Sequence, residues 1–464
     1  MAIKLDLTPI RNLRDIETLE RTPLAERIPT FDTCALVRAG AAIDPAKVAM
    51  YYLPDADVEA EPFTLTYGEL TQRFNQTANL LHHLGLGAED VVALLMPTVP
   101  ENFFVQIGGM ATCIVCCVNW MAEPTRIADI LAASRAKALV ALGPTPGFEM
   151  WEKVQAIRDD LGDLEYVFSV PGPDGTADPA TDFVTALDGQ PGDRLVFERE
   201  FAANDTAAYV HSGGTTGAPK LARISHGGLV YKCWANSEIV AHRAEDCIFS
   251  DYPMFHIAGF ISRALLPFVN GCAIMIPSAM GARSKTYIRN YWKLVERYRI
   301  SYLSGVPTTL SVLLENPPDG EDISSFKAYA ATGSAALPME ISRQIERKLG
   351  VRMLATYGAT ELTQNATMIP RDGELRHGST GIRLPHTHVK AVAVDADGGV
   401  LRDCDADEIG VIAIKGPGVF PGYVDEALNE GLFFADGWFK SGDLGHVDAD
   451  GYLWVTGRTR DVII

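Results

Sequence analysis

At 464 residues, 47% apolar and 21% charged, the chain has an ordinary globular balance and enough length for about two to four structural units. Its 40 basic and 59 acidic residues give a formal charge of −19, which excludes the basic stripe of a nucleic-acid surface but allows a local positive field for a small nucleotide. No apolar run approaches the ~20 residues of a membrane span, the mixed charges of MAIKLDLTPIRNLRDIE argue against a secretory signal, and eight scattered cysteines suit a reducing cytoplasm.

Residues 1–62 are read as an N-terminal extension, and an α/β rhythm begins at about 63. TYGELTQRFNQTANLLHHLG predicts a helix with a Thr66/Glu69 capping box, an apolar stripe Leu70, Phe74, Ala78, Leu81, and Gly85 at its end. VVALLM (91–96) and CIVCCV (113–118) follow as buried strands, with a helix from Glu101 between them. Cys113 and Cys116 form a CxxC, but without a second pair or a histidine cluster they read as strand residues rather than metal ligands. A helix over 125–134 leads to strand KALVAL, and one over 150–160 leads to strand YVFSV, which closes an α/β subdomain over 63–205.

A second α/β subdomain is expected over 206–375. Strand TAAYV (206–210) feeds a glycine-rich loop, and Ser225 caps a helix reaching about Ala241. Strand CIFS, helix 259–269, strand CAIMI, helix 286–298 and strand ISYLS follow, then strand AYAAT and a helix over 338–349 ended by Gly350. HVKAVAVDADGGV, GVIAIKG and GYLWVTG then alternate as short strands, so 376–457 is read as a small antiparallel sheet or β-barrel. Its two DADG tetrapeptides (395–398 and 448–451) lack the closing Glu of a calcium loop and are expected to be hairpin turns. The fold class is thus α/β: doubly wound, mostly parallel sheets in two subdomains, plus a small antiparallel β-barrel.

YVHSGGTTGAPK (209–220) carries the chemistry. Gly213, Gly214 and Gly217 let backbone N–H groups approach anionic oxygens, Ser212, Thr215 and Thr216 add donors, and Lys220 adds a mobile charge. A Walker loop needs Gly before the lysine and Ser or Thr after it, whereas Pro219 and Leu221 stand here, so a Walker-type ATPase fits poorly.

This loop resembles the Y-T-S-G-T-T-G-x-P-K-G of the adenylate-forming (AMP-binding) acyl-CoA synthetases. YPMFHIAG (252–259), GSAALP (333–338), YGATE (357–361), GVIAIKGPGVFPGY (410–423), DGWFKSGD (436–443), SGDLG (441–445) and GRTRDVI (457–463) resemble further family motifs, in the family's order. The resemblance implies that loop 212–220 holds the β- and γ-phosphates of ATP, that Thr360 touches the α-phosphate and that Glu361 coordinates Mg2+. Asp443 would accept the ribose hydroxyls with Arg458 nearby, and Tyr357, Gly358 and the Gly333–Ser334–Ala335 turn would flank adenine and the acyl pocket. His256 would sit beside the substrate carboxylate, and Asp461 would be the hinge to a lysine-bearing C-terminal domain, which the given chain, ending at Ile464, does not include. Gly213, Leu221 and Ser441 depart from the usual Ser, Gly and Thr.

The expected reaction is ATP-dependent activation of an acid to its acyl-adenylate, followed by transfer to coenzyme A. Amino-acid-activating relatives place an aspartate just after the His256 position, but Ile257, Ala258, Gly259 and Phe260 offer none, and an unpaired ammonium would be costly there. A fatty acid is therefore expected, with an aryl or alicyclic acid as runner-up and VPTTL (306–310) as an apolar wall. Two alternatives remain: an aryl- or amino-acid-adenylating module that loads a carrier protein, and a nucleotide-binding protein without ligase turnover. No nucleic-acid partner or membrane span is expected, and a homodimer is expected only through the resemblance.

Overall fold

The computed structural model describes residues 3–173, 175–213, 219–333, 337–395 and 397–459. A six-stranded sheet runs, in spatial order, Tyr166–Val170, Ala136–Leu142, Val91–Leu95, Ile114–Cys117, Thr206–His211 and Leu221–Ser225. Its neighbours are parallel except the last pair. Val92 and Leu94 enter one apolar core while Val91, Ala93 and Leu95 enter another, the two-sided burial that helices on both faces of a parallel sheet produce. The same alternation sends Cys113 and Cys116 into opposite cores as free, buried thiols, in agreement with their reading as strand residues.

A second sheet orders Phe63–Thr66, Val48–Tyr52, Ala273–Ile276 and Cys247–Phe249, and a third Tyr329–Thr332, Arg352–Tyr357, Thr367–Met368 and Ile382–Arg383. The sheets do not follow the expected segment boundaries. The division at 205/206 passes through the six-stranded sheet, and Val48–Tyr52, assigned to the N-terminal extension, pairs in parallel with Ala273–Ile276. The extension is also pinned further back, where the amides of Asp6 and Leu7 donate to the buried Glu238 carboxylate at 2.8 Å each.

The fourth sheet, Val400–Asp403, His388–Val394, Gly410–Lys415, Phe439–Val447 and Leu453–Arg458, is antiparallel throughout. Its end strands are not paired with each other among the described residues, so of the two forms expected the region adopts the open sheet. At the two DADG stretches the amides of Gly398 and Gly451 donate to the carbonyls of Asp395 and Asp448, the bond a tight turn makes, with Ala396 outside the described residues.

Local signals hold where side chains settle them. Thr66 and Glu69 complete a reciprocal capping box at the helix Tyr67–His83, Ser225 accepts from the Gly228 amide, and Gly350 ends the helix Met339–Leu349 at φ 68°. The helix expected over 259–269 begins at Ile257 and widens into a π-turn at Ile261–Leu265, ahead of Pro267, which has no N–H to continue the regular pattern. ISYLS is not a ladder strand. Its Ser301 exchanges backbone bonds with Cys247 and Lys327, while the Tyr291 hydroxyl both accepts from the Ser304 amide and donates to its carbonyl.

Candidate active site

The strands on either side of the glycine-rich loop pair with each other. Thr206–His211 and Leu221–Ser225 pair antiparallel, and the Ser212 amide donates to the Lys220 carbonyl at 2.9 Å, so the loop's two ends are held side by side. Ser212 is buried and Gly213 exposed. Lys220 is half-buried at its exit. Gly214, Thr215, Thr216 and Gly217 lie outside the described residues, as do Ser334, Ala335 and Asp461.

Beside this pair lies the strand Arg352–Tyr357 and the short turn Thr360–Leu362. The turn doubles back tightly: the Ala366 amide donates to the Tyr357 carbonyl at 2.8 Å, and a Cβ on Gly358 would lie 1.7 Å from the Gln364 carbonyl oxygen. Only glycine fits at 358 for that steric reason. Gly333 approaches the same strand end, where an added Cβ would lie 2.5 Å from Thr356 Oγ1. Thr360 is buried in the turn.

Two tyrosines tie this stretch to distant elements. The Tyr357 hydroxyl donates to Asp443 Oδ2 at 2.6 Å, and burial followed by the Asp443 charge raises its pKa. Asp443 lies opposite Arg458 in the antiparallel sheet; the Arg458 guanidinium is 3.5 Å away and largely exposed, a weak pairing. The Tyr423 hydroxyl donates to Glu361 Oε1, while the Phe420 amide donates to the Glu361 carbonyl at 2.9 Å. Segment 422–424 in turn runs along Leu221–Ser225: the Arg223 amide donates to Gly422 and the Val424 amide to Leu221. Hydrogen bonds thus link the strand leaving the glycine-rich loop to Glu361 through segment 420–424, and Tyr357, four residues before Glu361, to Asp443.

His256 caps the helix Ile257–Phe260, its Nδ1 accepting from the Ala258 amide at 3.2 Å, and its side chain is exposed. Next to it, Phe255 stacks on His211 with ring centroids 5.6 Å apart. Burial, followed by the charges of His256 and Arg126, pushes His211 down to about 4, so this ring is neutral near pH 7. His211, Phe255 and Tyr423 were not picked out as site residues from the sequence. Tyr423 sits in the quoted GVFPGY and His211 in the loop itself, but only long-range pairing reveals what they touch.

The linked elements carry Lys220, a Glu361 carboxylate held by Tyr423 and an Asp443 carboxylate held by Tyr357. Glu361 has one oxygen fixed by Tyr423, which aims the carboxylate as a hard oxygen donor of the kind Mg2+ prefers.

Known proteins resemble this chain in sequence and in fold. A family profile described as AMP-binding enzyme matches residues 37–424. Marinolic acid–CoA ligase of a Pseudoalteromonas species is 33% identical over 461 residues, spanning 98% of this chain and 70% of that protein. Indoleacetate–CoA ligase of Aromatoleum aromaticum is 26% identical, over 91% of this chain and 78% of that one. The crystal structure of ATP-bound MatB from Rhodopseudomonas palustris superposes with a TM-score of 0.78 at 25% identity, covering 92% of this chain and 80% of that one. No helix among the described residues is long and apolar enough to cross a membrane. The chain belongs to the AMP-binding enzyme family, and its fold and relatives are those of ATP-dependent, AMP-forming acid–CoA ligases.

Proposed function

We propose that this enzyme activates a carboxylic acid lacking an α-ammonium group, a fatty acid in the first instance, to its acyl-adenylate and passes the acyl group to coenzyme A. The observation that carries the reading is the double tether of the 357–361 stretch: to Asp443 through the Tyr357 hydroxyl, and to the loop's exit strand through Tyr423. It links the residues that would serve as phosphate loop, cation ligand and ribose acceptor.

Adenylation asks for charge neutralisation and in-line placement, because the substrate carboxylate attacks the α-phosphorus as pyrophosphate leaves. Lys220 and the loop amides would neutralise the β- and γ-phosphates, and Thr360 would contact the α-phosphate. Asp443, oriented by Tyr357, would accept both ribose hydroxyls. Gly333 and Gly358, where the chain passes too close to Thr356 and Gln364 for a side chain, would lie beside adenine with Tyr357. Glu361 would hold Mg2+, whose chemistry is to neutralise the departing pyrophosphate. His256, exposed at its helix start, would stand by the incoming carboxylate. Adenylation leaves a mixed anhydride, which a thiol can attack where a free carboxylate resists.

The nearest acidic residue before His256 in the chain is also engaged elsewhere. Asp251, the aspartate five residues before it, is already engaged by Tyr287 at 2.9 Å, Ser304 at 2.8 Å and the Arg263 guanidinium at 3.5 Å. Eight free cysteines, seven of them buried, fit a reducing cytoplasm.

The test is a thermal-shift series with non-hydrolysable octanoyl-, palmitoyl-, benzoyl- and phenylalanyl-adenylate analogues against AMP, since stabilisation follows RT ln(1 + [L]/Kd). Greater stabilisation by octanoyl or palmitoyl than by AMP supports the fatty-acid reading. Preference for benzoyl moves the substrate to the aryl class, and preference for phenylalanyl refutes the argument about the α-ammonium.

A further inference from the structure

The turn that carries Thr360 and Glu361 is braced from behind. The helix His226–Val240 is buried on every side, yet it carries Lys232 and Asn236 at the point where it meets residues 364–365. The backbone there is strained, with Thr363 at φ 48° and Gln364 at φ 98°, conformations that non-glycine residues hold only when their surroundings enforce them. Lys232 Nζ donates to the Asn365 carbonyl. Asn236 and Asn365 exchange side-chain amide bonds at 3.0 and 3.2 Å, and Asn236 also donates to Gln364 Oε1 at 3.4 Å. Gln364 itself reaches Ser262 on the helical stretch that starts at His256.

Lys232 is the unexpected member. Its side chain is 1% exposed and, among the described residues, forms no ion pair with a carboxylate, so burial pushes its ammonium down to about 7. A buried amine without an acid partner is a cost to folding, which leaves its contacts as the reason for its presence. Its stem packs on the segment that bonds Glu361 from the other side: an added Cβ on Gly418 would lie 2.4 Å from Lys232 Cε, and two residues on the Phe420 amide donates to the Glu361 carbonyl. Lys232 thus touches both strips of backbone that flank Glu361.

We propose that Lys232 and Asn236 are positioning residues for adenylation, fixing the Gln364–Asn365 backbone and through it Thr360 and Glu361. This rests on the reading of Glu361 given above. The test compares Lys232→Met and Asn236→Ala with the wild-type enzyme and Glu361→Gln in Mg2+-dependent ATP–pyrophosphate exchange, alongside binding of the acyl-adenylate analogue that wild type prefers. Misplacing the turn should lower kcat of exchange in Lys232→Met on the order of a hundredfold. The KM for the acid should stay within about threefold, because the acid contacts neither Thr360 nor Glu361, and the analogue, whose α-phosphate meets Thr360 but which carries no Mg2+-pyrophosphate, should weaken far less than exchange slows. Asn236→Ala should show the same split in smaller measure, and it decides the matter if Lys232→Met does not fold. Unchanged exchange in both variants, or a loss confined to the acid's KM, overturns the proposal. An unaffected Glu361→Gln instead removes the Glu361 reading on which it stands, so the two failures are distinguishable.

Discussion

Replacing Tyr357 by phenylalanine removes one hydroxyl and leaves the ring in place, and the site gives the size of the effect. The hydroxyl donates to Asp443 Oδ2 at 2.6 Å, a short bond to a charged acceptor, and such bonds contribute about 1.5–3 kcal/mol. The Asp443 side chain is 20% exposed, so water can replace part of what is lost, which favours the lower end of that range. At about 1.4 kcal/mol per decade, Kd for AMP should rise roughly tenfold. The assay is isothermal titration of wild type and Tyr357→Phe with AMP and, separately, with tripolyphosphate, which would use the loop but not the ribose acceptor. The loss should be confined to AMP. Equal loss for both ligands would mean that the substitution disturbs the site as a whole, and no loss for AMP would show that the Tyr357 bond does not orient Asp443 for the ribose.

Further tests probe other parts of the chain. Glu361→Gln keeps the side chain's size and its acceptor for Tyr423 but loses the charge, and apparent Mg2+ affinity in pyrophosphate exchange should fall at least about tenfold; unchanged Mg2+ dependence removes Glu361 from the mechanism. Gly358→Ala forces a Cβ to 1.7 Å from the Gln364 carbonyl and should destabilise by about 1–3 kcal/mol or more, whereas Gly162→Ala, with nothing within 4 Å, should be close to neutral in urea unfolding. His226 is fully buried, its Nε2 has no hydrogen-bond partner among the described residues, and burial followed by the Arg199 charge pushes it down to about 3. The folded state keeps this ring neutral while the unfolded chain takes up a proton below about 6.5, so stability is lost as pH falls from there toward about 3. Between pH 7.5 and 5 that loss is roughly 2 kcal/mol, and urea unfolding of His226→Gln should lack this part of the pH dependence. An identical pH dependence in the variant would show that His226 is not the group responsible.

The sequence by itself determined whatever is settled within a few residues. The Thr66–Glu69 capping box, the Ser225 cap and the Gly350 stop each act over one helical turn. Strands such as Val91–Leu95 were legible because a short apolar run has few other places to go. The glycine-rich loop and YGATE could be quoted as a family's motifs, which named the candidate residues without saying what each one touches. Tertiary structure alone decided the partners. Tyr357 meets Asp443 across 86 residues, Tyr423 meets Glu361 across 62, and Lys232 meets Asn365 across 133, contacts that leave no periodicity in the chain. It also decided that Val48–Tyr52 joins a sheet with Ala273–Ile276 and that ISYLS gives its backbone bonds to Cys247, Lys327 and a tyrosine hydroxyl instead of a ladder. The physical reason is common to all of these: local propensity fixes which groups a residue offers, but a hydrogen bond needs its second partner, and only the closed fold brings that partner within 3 Å.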